Sequence, residues 1–354
     1  MSRFFNPSLC DLEVYTPGEQ PKDKKYIKLN TNESPYPAPK EVTEAVNKGV
    51  IEDLRLYCNP DATELKDALA REYGVSRENV FVANGSDDIL NFSFLAFGKK
   101  GVAFPDVSYG FYEVFARLHG LECDIVPLKS DFSISAEDYF DKKGKLIAIA
   151  NPNAPTGMTL SLSEVEKIVI KNPESVVLID EAYVDFGAQS CVELCKKYDN
   201  LLCVQTFSKS RSMAGARLGF AIGSASLIED LDRIKYSTNP YNVNTMTQTA
   251  GVAALKRSDY FKENCNKIIA TREFVKNELE ALGFTVLSSK ANFIFAKSDK
   301  IGGAELYGKL KEKGILIRHF EKERIKEFNR ITIGSREEME AFLLQVKEIL
   351  GERK

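Results

Sequence analysis

The sequence has only two histidines, His119 and His319, far apart in its 354 residues. A histidine-rich metal site is thereby excluded. Its seven cysteines are scattered, odd in number and set in a long chain, which argues against a disulfide framework. Cys191 and Cys195 stand one helical turn apart, a spacing that suits a metal pair. No histidine lies near them in sequence, so reduced thiols and no metal are expected. No long basic run occurs and the formal net charge is −3, which argues against nucleic acid and anionic membranes as partners. No apolar stretch approaches the ~18 residues needed to span a bilayer. Met1 to Cys10 lacks the charged-then-apolar pattern of a secretory signal. Repeats and low-complexity linkers are also lacking. These absences predict a cytoplasmic globular protein. The 44% hydrophobic and 28% charged content agrees, and the length predicts two domains.

Short apolar runs alternate with helical stretches. Strands are predicted at Val80–Val82, Val102–Phe104, Ile125–Leu128, Leu146–Ala150, Val176–Ile179, Leu202–Val204 and Phe220–Ile222. A helix is predicted over Thr63–Tyr73 with Gly74 as its stop, and another opened by a capping box at Ser163–Glu166. This alternation predicts an α/β fold with a mostly parallel seven-stranded sheet sandwiched by helices. The last third differs. A long helical region from about Thr245 to Leu282 precedes strands at Phe284–Leu287, Phe293–Ala296, Ile315–Arg318 and Arg330–Ile333. Helices at Ala304–Lys313 and Glu337–Leu350, the latter with a capping box at Ser335–Glu338, complete a smaller α+β domain. The N-terminal segment is expected to pack with it.

Ligands of parallel sheets collect at the carboxyl ends of the strands, and four segments fall there. Asn84-Gly85-Ser86-Asp87-Asp88 is a glycine turn opening a helix, which offers free N–H groups to a phosphate. Taken alone it also suits plain N-capping. Tyr109, in the loop after Val102–Phe104, is placed to cover a planar ring, although a single loop tyrosine more often serves packing. Asp180 ends an apolar strand, where an ionised carboxylate needs a partner or caps a neighbouring loop. A protonated pyridine nitrogen would be such a partner, and Tyr183 follows three residues later.

The fourth segment centres on Lys209. Thr206 and Ser208 flank it and Arg217 follows eight residues later. An amine able to form an imine thus sits among phosphate-binding groups. That combination suggests pyridoxal phosphate, an aldehyde and a phosphate in one molecule. Asp180 and Lys209 are 29 residues apart, about one strand–helix–strand crossover, which puts both at one edge of the sheet.

With those residues in view, the chain resembles fold-type I pyridoxal-phosphate aminotransferases, and within them most closely histidinol-phosphate aminotransferases. The matching stretches are Leu29 to Pro35, Leu56 to Asp61, Asn84 to Asp87, Asn151 to Gly157, Asp180 to Tyr183, Thr206 to Phe220 and Pro240 to Asn244. The resemblance implies a large cofactor domain over residues 30–244 and a small one formed by 1–29 with 245–354. It implies that Lys209 links to the cofactor aldehyde, Asp180 holds the ring nitrogen, Tyr183 meets the 3′ oxygen and Tyr109 stacks on the ring. The phosphate would take the Ser86 and Asp87 N–H groups, the Thr206 and Ser208 hydroxyls and the Arg217 guanidinium. Tyr57 resembles a tyrosine that reaches the phosphate of a neighbouring subunit, which implies a homodimer with a shared site. One position departs from the family's Asn-Pro-Thr-Gly pattern: Ala154 replaces the asparagine, leaving Asn153 or Tyr183 for that contact.

The same resemblance assigns Arg318 and Arg330 to the substrate's anion. If their two strands pair antiparallel, the arginines converge, a seat for phosphate or carboxylate. Tyr15 and Asn32 are further candidates for closing over the substrate. The reaction implied is transamination between a phosphorylated amino alcohol, with L-histidinol phosphate foremost, and 2-oxoglutarate or glutamate, in histidine biosynthesis. Related enzymes acting on aromatic amino acids, on other phosphorylated amines or as phosphothreonine decarboxylases are the alternatives. The fold also serves as an effector module of transcription regulators, but thirty residues ahead of the large domain are too few for a DNA-binding domain.

Overall fold

Seven short strands of nearly continuous apolar character form the central sheet, as strands covered on both faces require. They are β2 (Val80–Ala83), β3 (Val102–Pro105), β4 (Cys123–Val126), β5 (Leu146–Ala150), β6 (Val177–Asp180), β7 (Leu201–Thr206) and β8 (Gly219–Ile222), preceded in the chain by the short strand β1 (Ile27–Lys28). The computed structural model describes residue 12 and residues 16–351. The sheet order is β2-β8-β7-β6-β5-β3-β4. β8 runs against the direction of the other six, antiparallel to both β2 and β7. All residues of β5, β6 and β7 are buried, between one apolar cluster that includes Ile147, Ile179 and Leu201 and another that includes Ala148, Leu178 and Leu202. Burying each large aliphatic side chain contributes about 1.5–3 kcal/mol, so these strands form a stiff platform.

A second sheet lies in the C-terminal part, with strands β9 (Phe284–Val286), β10 (Phe293–Ser298), β11 (Ile315–Leu316), β12 (Arg318–His319) and β13 (Asn329–Thr332). Its order is β12-β13-β10-β9, and β11 pairs separately and in parallel with β1. Leu29 packs into the apolar cluster of this part, together with Ile294, Ile331 and Phe342. Among the described residues, no helix is long and apolar enough to cross a membrane.

Several expected elements are placed differently. The edge strand expected at Ile125–Leu128 lies at Cys123–Val126 as β4. Pro127 has no N–H to continue the ladder with β3, so pairing stops before it. The capping box expected at Ser163–Glu166 is formed by Ser161 and Glu164. Both pairs fit the motif, but Ser161 has the extended backbone and its hydroxyl accepts from the Glu164 N–H, so the helix starts at Leu162. The single strand expected at Ile315–Arg318 is two. Its first half meets β1 and its second half turns to β13. The long helical region is Thr245–Leu255 and Ser258–Ala281, broken where Arg257 leaves helical geometry and pairs with Glu41. The Thr63–Tyr73 helix and the Ser335–Glu338 capping box stand where the pattern puts them.

Candidate active site

The carboxyl ends of β2, β3, β5, β6 and β7 open into a cavity of about 400 Å³, closed on the far side by residues of the C-terminal part. Asp180 is the last residue of β6, and β7, its parallel neighbour, leads three residues on to Lys209. Both line the cavity. The crossover spacing therefore does bring the carboxylate and the amine to one sheet edge.

Lys209 Nζ donates to the Thr31 carbonyl at 3.2 Å and lies 5.7 Å from the centre of the Tyr183 ring. Among the described residues it makes no ion pair, so its amine is not committed to a carboxylate. Its loop is fixed on both sides. The Ser208 N–H donates to the Thr206 hydroxyl at 3.1 Å, and Ser210 donates to Asp185. Arg211, itself buried, pairs with the same Asp185 and donates to the Tyr73 hydroxyl at 3.0 Å.

Asp180 is only 5% exposed. Burial pushes its carboxyl up to about 6, against hydrogen bonds from Tyr112 and the Ala182 N–H that hold it down. The Tyr112 hydroxyl donates to one oxygen at 3.0 Å and the Ala182 N–H to the other at 3.1 Å. A buried carboxylate with two neutral donors and, among the described residues, no cation within bonding distance is suited to a cationic ring nitrogen. The next residue, Glu181, belongs to a different group. Its oxygens take Ser190, the Cys191 N–H and Gln205, tying the turn after β6 to β7. Glu181, Cys191 and Cys203 place their polar atoms within 4.8 Å of one another in the core.

At the other end of the cavity the chain builds a seat for an anion. Gly85 has φ +85°, and a side chain there would run into the Arg217 guanidinium. Gly219 abuts the Gly85 and Ser86 backbone, where any Cβ would lie 2.4 Å from the Ser86 nitrogen. Only glycines let the start of the Ser86–Phe97 helix, with its outward N–H groups, meet Arg217, Ser208 and Thr206 this closely. Arg217 donates to Ser208 at 3.3 Å and pairs with Asp87 at 3.0 Å. Asp87 also accepts from the Tyr109 hydroxyl at 2.7 Å, so its carboxylate orients both the ring and the guanidinium. An uncommitted amine, a buried anion and this cradle along one wall are what pyridoxal phosphate requires, and the residues fit it.

Tyr183 lies edge-on to Phe293, with ring centres 5.0 Å apart. Its hydroxyl accepts from the Asn32 amide at 2.9 Å, which leaves its own proton for an acceptor in the cavity. Asn32 is buried and further held by Thr332 and Asn292. Asn153 is not on the cavity wall. It is wholly buried, donates to the Val107 carbonyl and the Thr156 hydroxyl, and accepts from Ser108. Its amide is fully occupied in shaping the loop, so the expected contact to a ring oxygen is corrected here; Ala154 and Pro155 face the cavity instead. Tyr57 is also outside the cavity, 83% exposed and stacked on Tyr241 at 4.4 Å. Tyr15 lies outside the described residues.

Arg318 and Arg330 face each other directly across the β12–β13 pair and both line the cavity. Arg318 donates to the Thr16 and Pro17 carbonyls, and Arg330 to the Asn30 carbonyl at 2.9 Å. Phe320 lies beneath both guanidinium groups. Sequence reasoning missed Tyr112, Phe320 and Lys322. Tyr112 meets Asp180 across 68 residues, and no local pattern marks it. A loop of 320–328 that reaches back over the large sheet, through the Arg324–Asp106 pair at 2.5 Å, brings in the other two.

A family model described as aminotransferase class I and II matches residues 24–346. A histidinol-phosphate aminotransferase of Brachyspira hyodysenteriae is 50% identical over 353 residues, covering 99% of each chain. One from Clostridium acetobutylicum is 48% identical, covering 99% of this chain and all of its own. In fold the chain is similar to a histidinol-phosphate aminotransferase from Sinorhizobium meliloti solved in complex with pyridoxal-5′-phosphate. The TM-score is 0.88 at 23% identity, with 99% of this chain and 98% of that one covered.

Proposed function

From the premise that the chain belongs to the class I and II aminotransferases, we propose that it transaminates L-histidinol phosphate with 2-oxoglutarate as amino acceptor, in histidine biosynthesis, using pyridoxal phosphate. The observation that carries the substrate is the second cationic site. Arg217 serves one phosphate at the sheet edge, and Arg318 with Arg330 offers a separate anion seat on the opposite wall. A substrate with its own phosphate matches two such seats, and the curated relatives act on one. The same pair suits a carboxylate of 2-oxoglutarate.

When bound, pyridoxal phosphate supplies an electron sink for charge developing at the substrate carbon that bears the amine. The protein does the rest. Asp180 holds the ring nitrogen protonated through its buried carboxylate. Tyr183 donates to the ring oxygen while Asn32 fixes its hydroxyl. Tyr109 covers the ring, and Ser86, Asp87, Thr206, Ser208 and Arg217 hold the phosphate. Lys209 Nζ would hold the cofactor at its aldehyde and, as the one free amine on this wall among the described residues, would move the proton at the substrate carbon. Phe320 and Ala154 line the same cavity.

Arg330→Ala is expected to raise KM for histidinol phosphate by between about tenfold and a hundredfold, the worth of one or two hydrogen bonds to a charged group. The unphosphorylated amine should lose much less. Steady-state kinetics on both substrates checks this, and an equal loss on the two would argue against a phosphate seat.

The site is proposed to be shared in a homodimer. Ile51, Leu54, Leu56 and Tyr57 are exposed apolar residues along one segment, and Tyr241 joins them by stacking on Tyr57. Such a patch marks a protein interface. Sedimentation should show a two-chain particle at micromolar concentration, and a monomer there would contradict it. The six described cysteines are free thiols, which supports the cytoplasm as compartment; cell fractionation checks it.

A further inference from the structure

We propose that Tyr112 is a positioning residue that keeps the Asp180 carboxylate ionised and aimed at the ring nitrogen of the cofactor. This rests on the pyridoxal phosphate reading above. Tyr112 is 0% exposed, on the Phe111–Leu118 helix that follows β3. Its ring is fixed by Phe94, Phe104 and Tyr109, with centres 6.0, 6.1 and 5.8 Å away. Its one polar side-chain atom donates to Asp180 Oδ2 at 3.0 Å. A buried hydroxyl with a single acceptor is oriented by that acceptor, and orients it in return.

The charges around Asp180 show why this donor matters. Asp87, on the Ser86–Phe97 helix, and Glu181, the next residue, both favour the neutral carboxyl. Asp87 is partly offset by Arg217 and Tyr109, and Glu181 is held by Ser190, Cys191 and Gln205. Lys209 and Arg217 line the same cavity, but their bonds go to Thr31, Ser208, Ala214 and Asp87. The Tyr183 hydroxyl is engaged with Asn32. Against burial, the anion therefore has the Ala182 N–H and the Tyr112 hydroxyl. Burial and the Asp180 charge push the Tyr112 phenol well up, so it remains a donor throughout the working pH range. Asp180 must be anionic to pair with a cationic ring nitrogen, and Tyr112 keeps it so in neutral solution.

Tyr139 supplies the control. It is another buried tyrosine, 1% exposed, whose hydroxyl has no hydrogen-bond partner among the described residues. Tyr112→Phe and Tyr139→Phe each delete one buried hydroxyl and keep the ring. Pyridoxal phosphate is titrated into the full-length cofactor-free protein between pH 5 and 8, and binding is followed by absorbance. The ligand's own protonation is common to all three proteins and cancels in the comparison. Tyr112→Phe should bind about tenfold more weakly at pH 7. Its loss of affinity on acidification should begin about one pH unit higher than in the parent. Tyr139→Phe should follow the parent. Parent-like affinity and pH profile in Tyr112→Phe overturns the inference, as does a loss equal at every pH, which is the mark of a merely structural role. A parent protein that takes up no pyridoxal phosphate at any pH overturns the cofactor reading itself, a separate result.

Discussion

Lys209→Ala is expected to abolish transamination, with a loss on the order of 10⁴-fold or more, because on the proposed function one side chain both links the cofactor and moves the proton. The fold should survive. In the structure the amine makes a single bond to the Thr31 carbonyl and no ion pair among the described residues, so little stability depends on it. The loop geometry comes from Thr206, Ser210, Asp185 and Arg211 instead. The measurement has two parts. Borohydride should fix pyridoxal phosphate to the parent chain but not to the variant, and thermal unfolding of the cofactor-free proteins should nearly coincide. Turnover at the parent rate, or cofactor fixed at another lysine, would remove Lys209 from its role.

Asp180→Asn should separate function from stability. Losing the anion opposite the ring nitrogen should lower kcat by at least about a hundredfold, the scale of removing one stabilising group from a buried reacting centre. Cofactor-free protein should respond the other way. The Asp180 carboxyl is raised by burial from 3.8 to about 6, so the folded state takes up the proton more readily than the unfolded state. Its ionisation therefore costs nothing below pH ~4, an increasing amount up to pH ~6, and the full amount above that. About two units at about 1.4 kcal/mol each gives roughly 3 kcal/mol. The asparagine variant should thus be at least as stable as the parent at pH 8, with the difference fading towards pH 4. Unfolding curves at the two pH values check the sign. A variant uniformly less stable at pH 8 would mean that the carboxylate is structural.

The parts of the site that were legible in the sequence are those with local causes. A strand that ends in Asp180, a crossover of 29 residues and a lysine bracketed by hydroxyls fix two reacting groups at one edge. Gly85, just before Ser86, opens the anion seat in the same way, by local backbone geometry. Arg318 and Arg330 were legible once their strands were taken as antiparallel partners, although the Ile315–Arg318 strand itself divides between two sheets. What could not be read depends on contacts between distant segments. Tyr112 reaches Asp180 from another helix, and Arg324 brings a loop across to Asp106. Asn153 is a further such case. Its place in the motif suggested a ligand contact, yet bonds to Val107 and Ser108, more than forty residues away, and to Thr156 hold its amide off the cavity wall.

The central claim is that a lysine and a buried carboxylate at the sheet edge transfer an amine from a phosphorylated substrate seated on Arg318 and Arg330. A single-turnover experiment tests it most directly. Protein loaded with pyridoxal phosphate is mixed with L-histidinol phosphate, L-histidinol, phosphothreonine or L-phenylalanine, without a keto acid, and the visible absorbance of the bound cofactor is followed. The account predicts a rapid loss of that absorbance with L-histidinol phosphate, saturating at far lower concentration than with L-histidinol, and its recovery when 2-oxoglutarate is added. Equal response to the two histidinols, or carbon dioxide released from phosphothreonine with no response to L-histidinol phosphate, would contradict it.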